Sequence, residues 1–220
     1  MNILIEGPPG SGKGAQAEKL AEKFNLAYIE MGGLLRKIAK DETPLAYKVN
    51  EAINVKGQLV SDEILFQVID NYLKSINRLE GILFDGFPRT LSQAKYFGEY
   101  LQKKGKKFDV VIFLTLPRKV TFERLAGRRI CEKCGSTYNT LTKPTKKEGI
   151  CDECGGKLII RADETPEKIE KRLNQFEKLT KPLMVFYNSK GILEEVDGNR
   201  PIEVIFEEIL ARLKKRGMIE

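Results

Sequence analysis

The stretch Gly7-Pro8-Pro9-Gly10-Ser11-Gly12-Lys13-Gly14 constrains this chain more than any other. It follows the apolar run Ile3-Leu4-Ile5 directly and opens an amphipathic segment carrying Ala17, Leu20, Ala21 and Phe24 on one face. Its glycines and lysine match the phosphate-binding loop pattern in the strand–loop–helix context that the pattern requires. Glycines let the backbone curl so that N–H groups face phosphate oxygens, a helix starting at Gly12 adds its positive dipole end, and Lys13 supplies a point charge. Gly14 stands where a Ser or Thr usually meets magnesium, so the metal must be held through water or by another residue. The alternative is a glycine-rich turn that merely links strand to helix. The strand before it, the helix after it and the lysine in register argue against that.

The rest of the chain continues the alternation. Ile3 to Ile5, Leu26 to Ile29, Ile82 to Phe84, Val110 to Leu116 and Ile192 to Val196 are short and rich in β-branched or aromatic residues, as strands buried on both faces should be. Helical patterns lie between them, among them Ile64, Val68, Ile69 and Leu73, and a last one from Pro201 to near Gly217. This predicts an α/β fold: a P-loop NTPase-type core with a central parallel five-stranded sheet flanked by helices. Two stretches interrupt it. Residues 30–60 read as a helical insertion, punctuated by Thr43-Pro44 and Lys56-Gly57. Residues 127–163 hold every cysteine, lack a helical period and read as a small separate lobe. The core is then 1–29, 61–126 and 164–220, which suits a 220-residue chain built as one domain with two insertions. Asp85 ends the third apolar run, so its carboxylate is expected at the carboxyl edge of the sheet, where such folds bind ligands and where it can hold the magnesium through water. A strand-end aspartate that only caps the next turn is the simpler reading.

Composition narrows the function. With 41% hydrophobic and 31% charged residues and no apolar run near the ~20 residues of a membrane span, a globular protein is expected that neither crosses nor needs a membrane. The first residues lack the pattern of a secretory signal, so the expected location is the cytoplasm. Histidine is absent, which removes His-based triads and limits any zinc site to cysteine and carboxylate ligands. The net charge of +7 suits nucleic acid, a membrane surface or phosphorylated small molecules, and only the placement of the arginines can choose among them. The lysines of 103–107 read as a solvated turn.

Cys131-Glu132-Lys133-Cys134 and Cys151-Asp152-Glu153-Cys154 form two C-x2-C knuckles at the spacing of a four-cysteine zinc site. Disulfides are the alternative, disfavoured in a reducing compartment. With all four positions filled by protein, the metal is expected to be structural.

Taken together, Gly7 to Gly14 and Phe84-Asp85-Gly86-Phe87-Pro88-Arg89-Thr90 with Gln93 resemble the adenylate kinase family. The resemblance covers nearly the whole chain: Lys56-Gly57-Gln58-Leu59-Val60 with Asp62-Glu63, Glu123-Arg124-Leu125 with Gly127-Arg128-Arg129, then Arg161, Asp163, Glu164 and Arg172, and Asp197-Gly198-Asn199-Arg200-Pro201. It implies the reaction MgATP + AMP ⇌ 2 ADP in a monomer with two mobile lobes, one binding the acceptor nucleotide (30–60) and one a zinc-bearing lid (127–163). Lys13, Arg89, Arg124, Arg128, Arg161 and Arg172 are then the catalytic cations. ATP is expected on Gly10, Ser11, Gly12, Lys13, Gly14, Ala15, Arg124, Arg128 and Arg200, with Thr137 and Tyr138 reaching it from the lobe; a Tyr138 packed within the lobe is an equal alternative. AMP is expected on Met31, Arg36, Leu59, Val60, Gly86, Arg89, Gln93, Arg161 and Arg172, with Gln93 reading the adenine edge.

The chain departs from the family's pattern in places. Ala15 replaces a threonine. Glu30-Met31-Gly32-Gly33 stands where the family shows Ser-Thr-Gly-Asp, removing a polar contact at Met31 and, at Gly33, a carboxylate that helps order a helix start. Ser61 replaces a proline and is expected only to loosen a turn. These changes leave open a UMP or CMP acceptor, against which Gln93 and the cysteine lobe argue. A nucleic-acid-binding zinc module leaves Lys13, Asp85 and the spaced arginines unexplained.

Overall fold

The computed structural model describes residues 1–55, 60–160 and 164–220. In chain order, β1 (Ile3–Glu6) leads through the glycine loop into α1 (Lys13–Phe24), β2 (Ala27–Glu30), α2 (Met31–Ile38) and α3 (Pro44–Asn50). Next come α4 (Asp62–Ser75), β3 (Ile82–Asp85), α5 (Leu91–Lys103), β4 (Val110–Thr115) and α6 (Arg118–Ala126). The small lobe contains β5 (Arg128–Cys131), β6 (Thr137–Asn139) and β7 (Leu158–Ile159), and the chain closes with α7 (Pro166–Gln175), α8 (Leu183–Ser189), β8 (Leu193–Asp197) and α9 (Ile202–Lys215).

The expected α/β architecture is present: a five-stranded parallel sheet in the order β2-β3-β1-β4-β8, with helices on both faces. Side chains alternate across it. Ile3, Ile5, Leu83, Ile112 and Leu114 pack on one face with Ala17 and Leu20 of α1 and Ile205, Ile209 and Leu213 of α9. Leu4, Phe84 and Val111 face the other layer, with Val68, Ile69, Phe97 and Leu183 from α4, α5 and α8. The strand order reverses beside β1, because α1 leads to one side of it and α5 carries the chain across to the other. The crevice this leaves at the carboxyl edge lies over the glycine loop.

Four strands outrun their apolar runs by one position, β2 taking in Glu30 and β8 Asp197 at the outer strands. β1 takes in Glu6 and β3 takes in Asp85, both buried, so two carboxylates end adjacent strands at the edge facing the crevice. Helix starts follow their capping chemistry. Thr43 accepts from the Ala46 N–H at 3.1 Å ahead of Pro44, and Thr90 from the Gln93 N–H at 3.2 Å. Ser61, expected only to loosen a turn, instead caps α4, its Oγ accepting from the Ile64 N–H at 3.5 Å. A proline has no side-chain acceptor for that role. α1 begins at Lys13, one residue after the expected Gly12, because Gly12 takes the left-handed conformation at φ 90°. α7 runs on into a π-helical turn, Phe176–Thr180, whose Thr180 hydroxyl donates to the Arg89 carbonyl at 3.0 Å.

The lobe is a separate antiparallel sheet, β6-β5-β7, folded around the cysteines. Among the described residues no helix is long and apolar enough to cross a membrane.

Candidate functional site

The glycine loop is held against the sheet by close approach. A side chain on Gly7 would collide with the Leu114 carbonyl of β4, so only glycine lets the chain turn there. Lys13 arches back over the loop, its ammonium donating to the carbonyls of Gly7 at 3.1 Å and Pro8 at 3.2 Å. Ser11 is fully buried, its hydroxyl without a hydrogen-bond partner among the described residues. The loop Asp197–Pro201 packs against this one: the Gly198 N–H donates to the Thr115 carbonyl at 2.8 Å. Arg124 binds the same loop through the Gly198 carbonyl at 3.0 Å and Asn199 Oδ1 at 3.4 Å.

Asp85 lies opposite, 7% exposed, its Oδ2 accepting from the Tyr28 hydroxyl at 3.0 Å. Burial raises its pKa, opposed by the charge of Lys13 and the Tyr28 hydrogen bond. Enclosure lowers that of Lys13, with Asp85 and Glu6 working against it. A Cβ on Gly14 would sit 3.9 Å from Asp85 Oδ2, so the residue lacking the usual hydroxyl faces the carboxylate directly.

Glu6 is a residue that motif reasoning passed over. It is 2% exposed, and its Oε1 has no hydrogen-bond partner among the described residues. Burial raises its pKa from 4.5 to about 8, with Lys13 and Arg89 pulling down and Asp85 pushing up. Burial, and then the charge of Glu6, push up the Tyr187 hydroxyl on the neighbouring α8. The signal was available: a carboxylate closing an apolar run immediately before the loop. Because the folded pKa exceeds the unfolded one, the folded state holds an extra proton between about pH 4.5 and 8, and stability falls as pH rises through that window. Glu6→Gln cannot ionise. It is expected to melt like wild type at pH 5 and about 8–16 °C higher at pH 9, a relief of roughly 4 kcal/mol. Thermal melts at the two pH values check this, and a difference that does not change with pH refutes it.

The arginines occupy the same edge. Arg89 follows a rigid aromatic anchor, with Phe87 packed against Phe84 at 6.0 Å and Phe97 at 5.1 Å between ring centroids. Its backbone N–H donates to Gln93 Oε1 at 2.7 Å and its Nε to the Gly86 carbonyl at 2.9 Å. Arg128, at the start of β5, donates to Glu164 Oε1 at 2.8 Å, and Arg172 of α7 lies 3.7 Å from the same oxygen. Glu164 is 4% exposed and gathers two guanidiniums that are far apart in sequence. Arg36 pairs with Glu30, Nη2 to Oε1 at 3.1 Å. Arg200 is turned to Asp197 and to Glu208 of α9. Arg161, Leu59, Lys56 to Gln58 and Asp163 lie outside the described residues.

Met31, Leu35, Val60, Phe87, Arg89 and Gln93 line one small cavity beside Gly86, which brings together most of the residues expected on the acceptor. Gln93 itself is 3% exposed, its Nε2 donating to Asp62 Oδ1 at 2.8 Å and its Oε1 taken by Arg89. Its amide is committed to the protein in this arrangement. Tyr138, expected with Thr137 on ATP, is instead packed inside the lobe. β6 alternates, so Thr137 is exposed while the Tyr138 ring is buried, its hydroxyl 3.4 Å from Cys151 Sγ and accepting from the Asp152 N–H at 2.9 Å.

The four cysteines converge. Their sulfurs all lie within 4.8 Å of one another, with Cys131–Cys154 at 3.5 Å and Cys134–Cys151 at 3.6 Å. Disulfide sulfurs sit about 2 Å apart, whereas tetrahedral thiolates on ~2.3 Å bonds stand about 3.8 Å apart. The chemistry agrees. The Tyr138 hydroxyl holds the Cys151 thiol down to about 6. Cys154, although the Gly156 N–H draws it down, is pushed up to about 12 by Cys134 and Cys131. A cation at the centre removes that conflict. The cluster can therefore hold a metal ion.

A phosphate loop, a buried carboxylate and convergent guanidiniums, with no histidine, suit chemistry that needs positioning and charge neutralisation more than proton transfer. Comparison with known proteins points the same way. The sequence model of the family described as "Adenylate kinase" matches residues 5–192. A curated adenylate kinase of Carboxydothermus hydrogenoformans is 41% identical over 98% of this chain and 100% of its own length. That of Methanosarcina barkeri is 41% identical over 98% and 99%, and that of Staphylococcus epidermidis 39% over 96% and 97%. Nothing in these matches favours a pyrimidine acceptor or nucleic acid.

Proposed function

The chain belongs to the adenylate kinase family, and from that premise we propose how its side chains divide the work of moving a phosphoryl group from MgATP to AMP. Lys13 and the N–H groups of residues 10–15 take the ATP phosphates. Arg124 and Arg200 fix the loop Asp197–Pro201, against which the adenine of ATP lies. Arg36, Arg89 and the cavity of Met31, Val60, Gly86 and Gln93 take AMP. Arg128 and Arg172, with Arg161, complete the cationic surround of the transferring group.

The observation that carries this reading is the meeting of Lys13, Asp85 and Arg89 at the carboxyl edge. Magnesium enters with ATP and neutralises developing charge on the phosphates. Asp85 is the carboxylate placed to hold its water shell, and the small Gly14 keeps the approach open. The guanidiniums supply paired donors to equatorial oxygens and cannot lose their protons. Segment 127–163 is read as a lid that brings Arg128 over the phosphates and excludes water, so that phosphoryl transfer outruns hydrolysis. Segment 30–60 is read as the acceptor-binding lobe. The metal of the cysteine cluster is read as a structural zinc, since four thiolates leave no open position. Unbridged thiols suit a reducing compartment, so a cytoplasmic monomer belongs to the same proposal.

A coupled assay with ATP and each of AMP, UMP, CMP and GMP tests it. Turnover with AMP on the order of 10–1,000 per second is expected, at least about 100-fold above the other three. Equal rates with UMP or CMP remove the adenine assignment, and no activity with any acceptor removes the whole reading.

A further inference from the structure

Resting on the assignment of Arg36 to the acceptor nucleotide, we propose that Glu30 is the positioning residue for that arginine, and that Gly32 and Gly33 serve to make room for its carboxylate. Glu30 ends β2 in register with Asp85, so it starts from the same carboxyl edge as the phosphate site. Its side chain folds over the first turn of α2. A Cβ on Gly33 would overlap Glu30 Oε2 and lie 3.2 Å from Cδ, and one on Gly32 would lie 2.9 Å from Oε1 and 3.0 Å from Arg36 Nη1. The carboxylate thus fills the space where a side chain at position 33 would begin.

From there it holds one arm of Arg36. Nη2 donates to Oε1 at 3.1 Å and Oε2 at 3.4 Å, while Nη1 and Nε make no hydrogen bond to the described residues. Nη2 is anchored by the carboxylate, and the N–H groups of Nη1 and Nε are left to meet phosphate oxygens. The departures from the family's pattern then reduce to a single paired exchange. The carboxylate missing at position 33 is supplied from position 30, over the same helical turn. The pair is about half exposed, so it adds little to stability. Its consequence is orientation.

Steady-state kinetics of the full chain, with KM for AMP and for ATP measured separately, test this. Glu30→Ser and Glu30→Gln are expected to raise KM for AMP about 5- to 20-fold, with KM for ATP within about twofold and melting within about 2 °C of wild type. Gly33→Asp alone is expected to raise KM for AMP similarly, because a second carboxylate repels that of Glu30 and displaces it from Arg36. In the double variant Glu30→Ser/Gly33→Asp it should return to within about threefold of wild type, a coupling that independent sites do not show. An unchanged KM for AMP in both Glu30 variants overturns the inference, as does a double variant whose defects simply add. Arg36→Ala separates the layers. If it leaves KM for AMP unchanged while wild type turns AMP over, the Arg36 assignment has failed and this inference with it. If Arg36→Ala raises that KM but the Glu30 variants do not, only the role of Glu30 has failed.

Discussion

Arg89→Ala is expected to lower kcat by about 100- to 1,000-fold, the loss of one or more preorganised donors to the transition-state charge. The fold should not notice. The Arg89 side chain is exposed and makes one local bond, from Nε to the Gly86 carbonyl, while its backbone holds the segment through the N–H to Gln93 and the carbonyl to Thr180. The aromatic packing of Phe84, Phe87 and Phe97 lies beneath it and does not involve the guanidinium. Melting within about 3 °C of wild type is therefore expected alongside the kinetic loss. Arg89→Lys keeps the charge but cannot fork, so it should recover only part of the rate. Rapid-quench measurement of the chemical step decides the matter, and near wild-type turnover in the alanine variant would end the assignment of Arg89 to the reacting phosphate.

The scaffold beneath this arginine was legible because its physics is local. A four-residue strand buried on both faces must read as a continuous apolar run, and Ile3 to Ile5, Ile82 to Phe84 and Val110 to Leu114 do. The alternation with amphipathic helices then leaves few topologies. Apolarity could not place the strand ends, because Glu6 and Asp85 belong to strands by backbone pairing while their side chains answer to the crevice beyond. Ser61 went unread for a similar reason: a cap is defined by where the helix begins, and residues 56–59 give no clear helical signal.

At the site, spacing singled out the loop and the cysteines, the end of an apolar run singled out Asp85, and the arginines came forward only through the family resemblance. None of these signals identified what holds them. Glu164 collects Arg128 and Arg172 only after β5 and α7 have come together, and Glu30 reaches Arg36 across a helical turn whose glycines leave its carboxylate room. Gln93 reads as a free amide in sequence, yet Asp62 and the Arg89 N–H occupy both ends of it. Partner choice among polar groups depends on tertiary approach, and a one-dimensional pattern carries no record of it. Tyr138 shows the same limit, since alternation along a three-residue strand settles its direction only once the partner strand is known.

The largest expected effect on stability comes from the cysteines. Protein purified without chelator is expected to carry about one zinc per chain, and Cys151→Ser to lose most of it. The lobe has little else to hold it: its buried cluster consists of Cys131, Tyr138 and Cys151, with Cys154 and Leu158 packed against them. A cluster of that size is too small to hold the lobe by itself, whereas a structural zinc contributes on the order of 10 kcal/mol to folding. Chelation or Cys151→Ser should therefore split melting into two steps, the lobe loosening at least about 15 °C below the core, because the parallel sheet shares no buried cluster with it. Activity should fall with the first step. Arg128 stands on β5, and melting that strand removes the frame that brings its guanidinium to Glu164, and with it the role proposed for it at the phosphates. Calorimetry beside metal analysis reads both quantities. Metal-free protein with a single, unshifted transition would show that the sulfurs meet for some reason other than a metal.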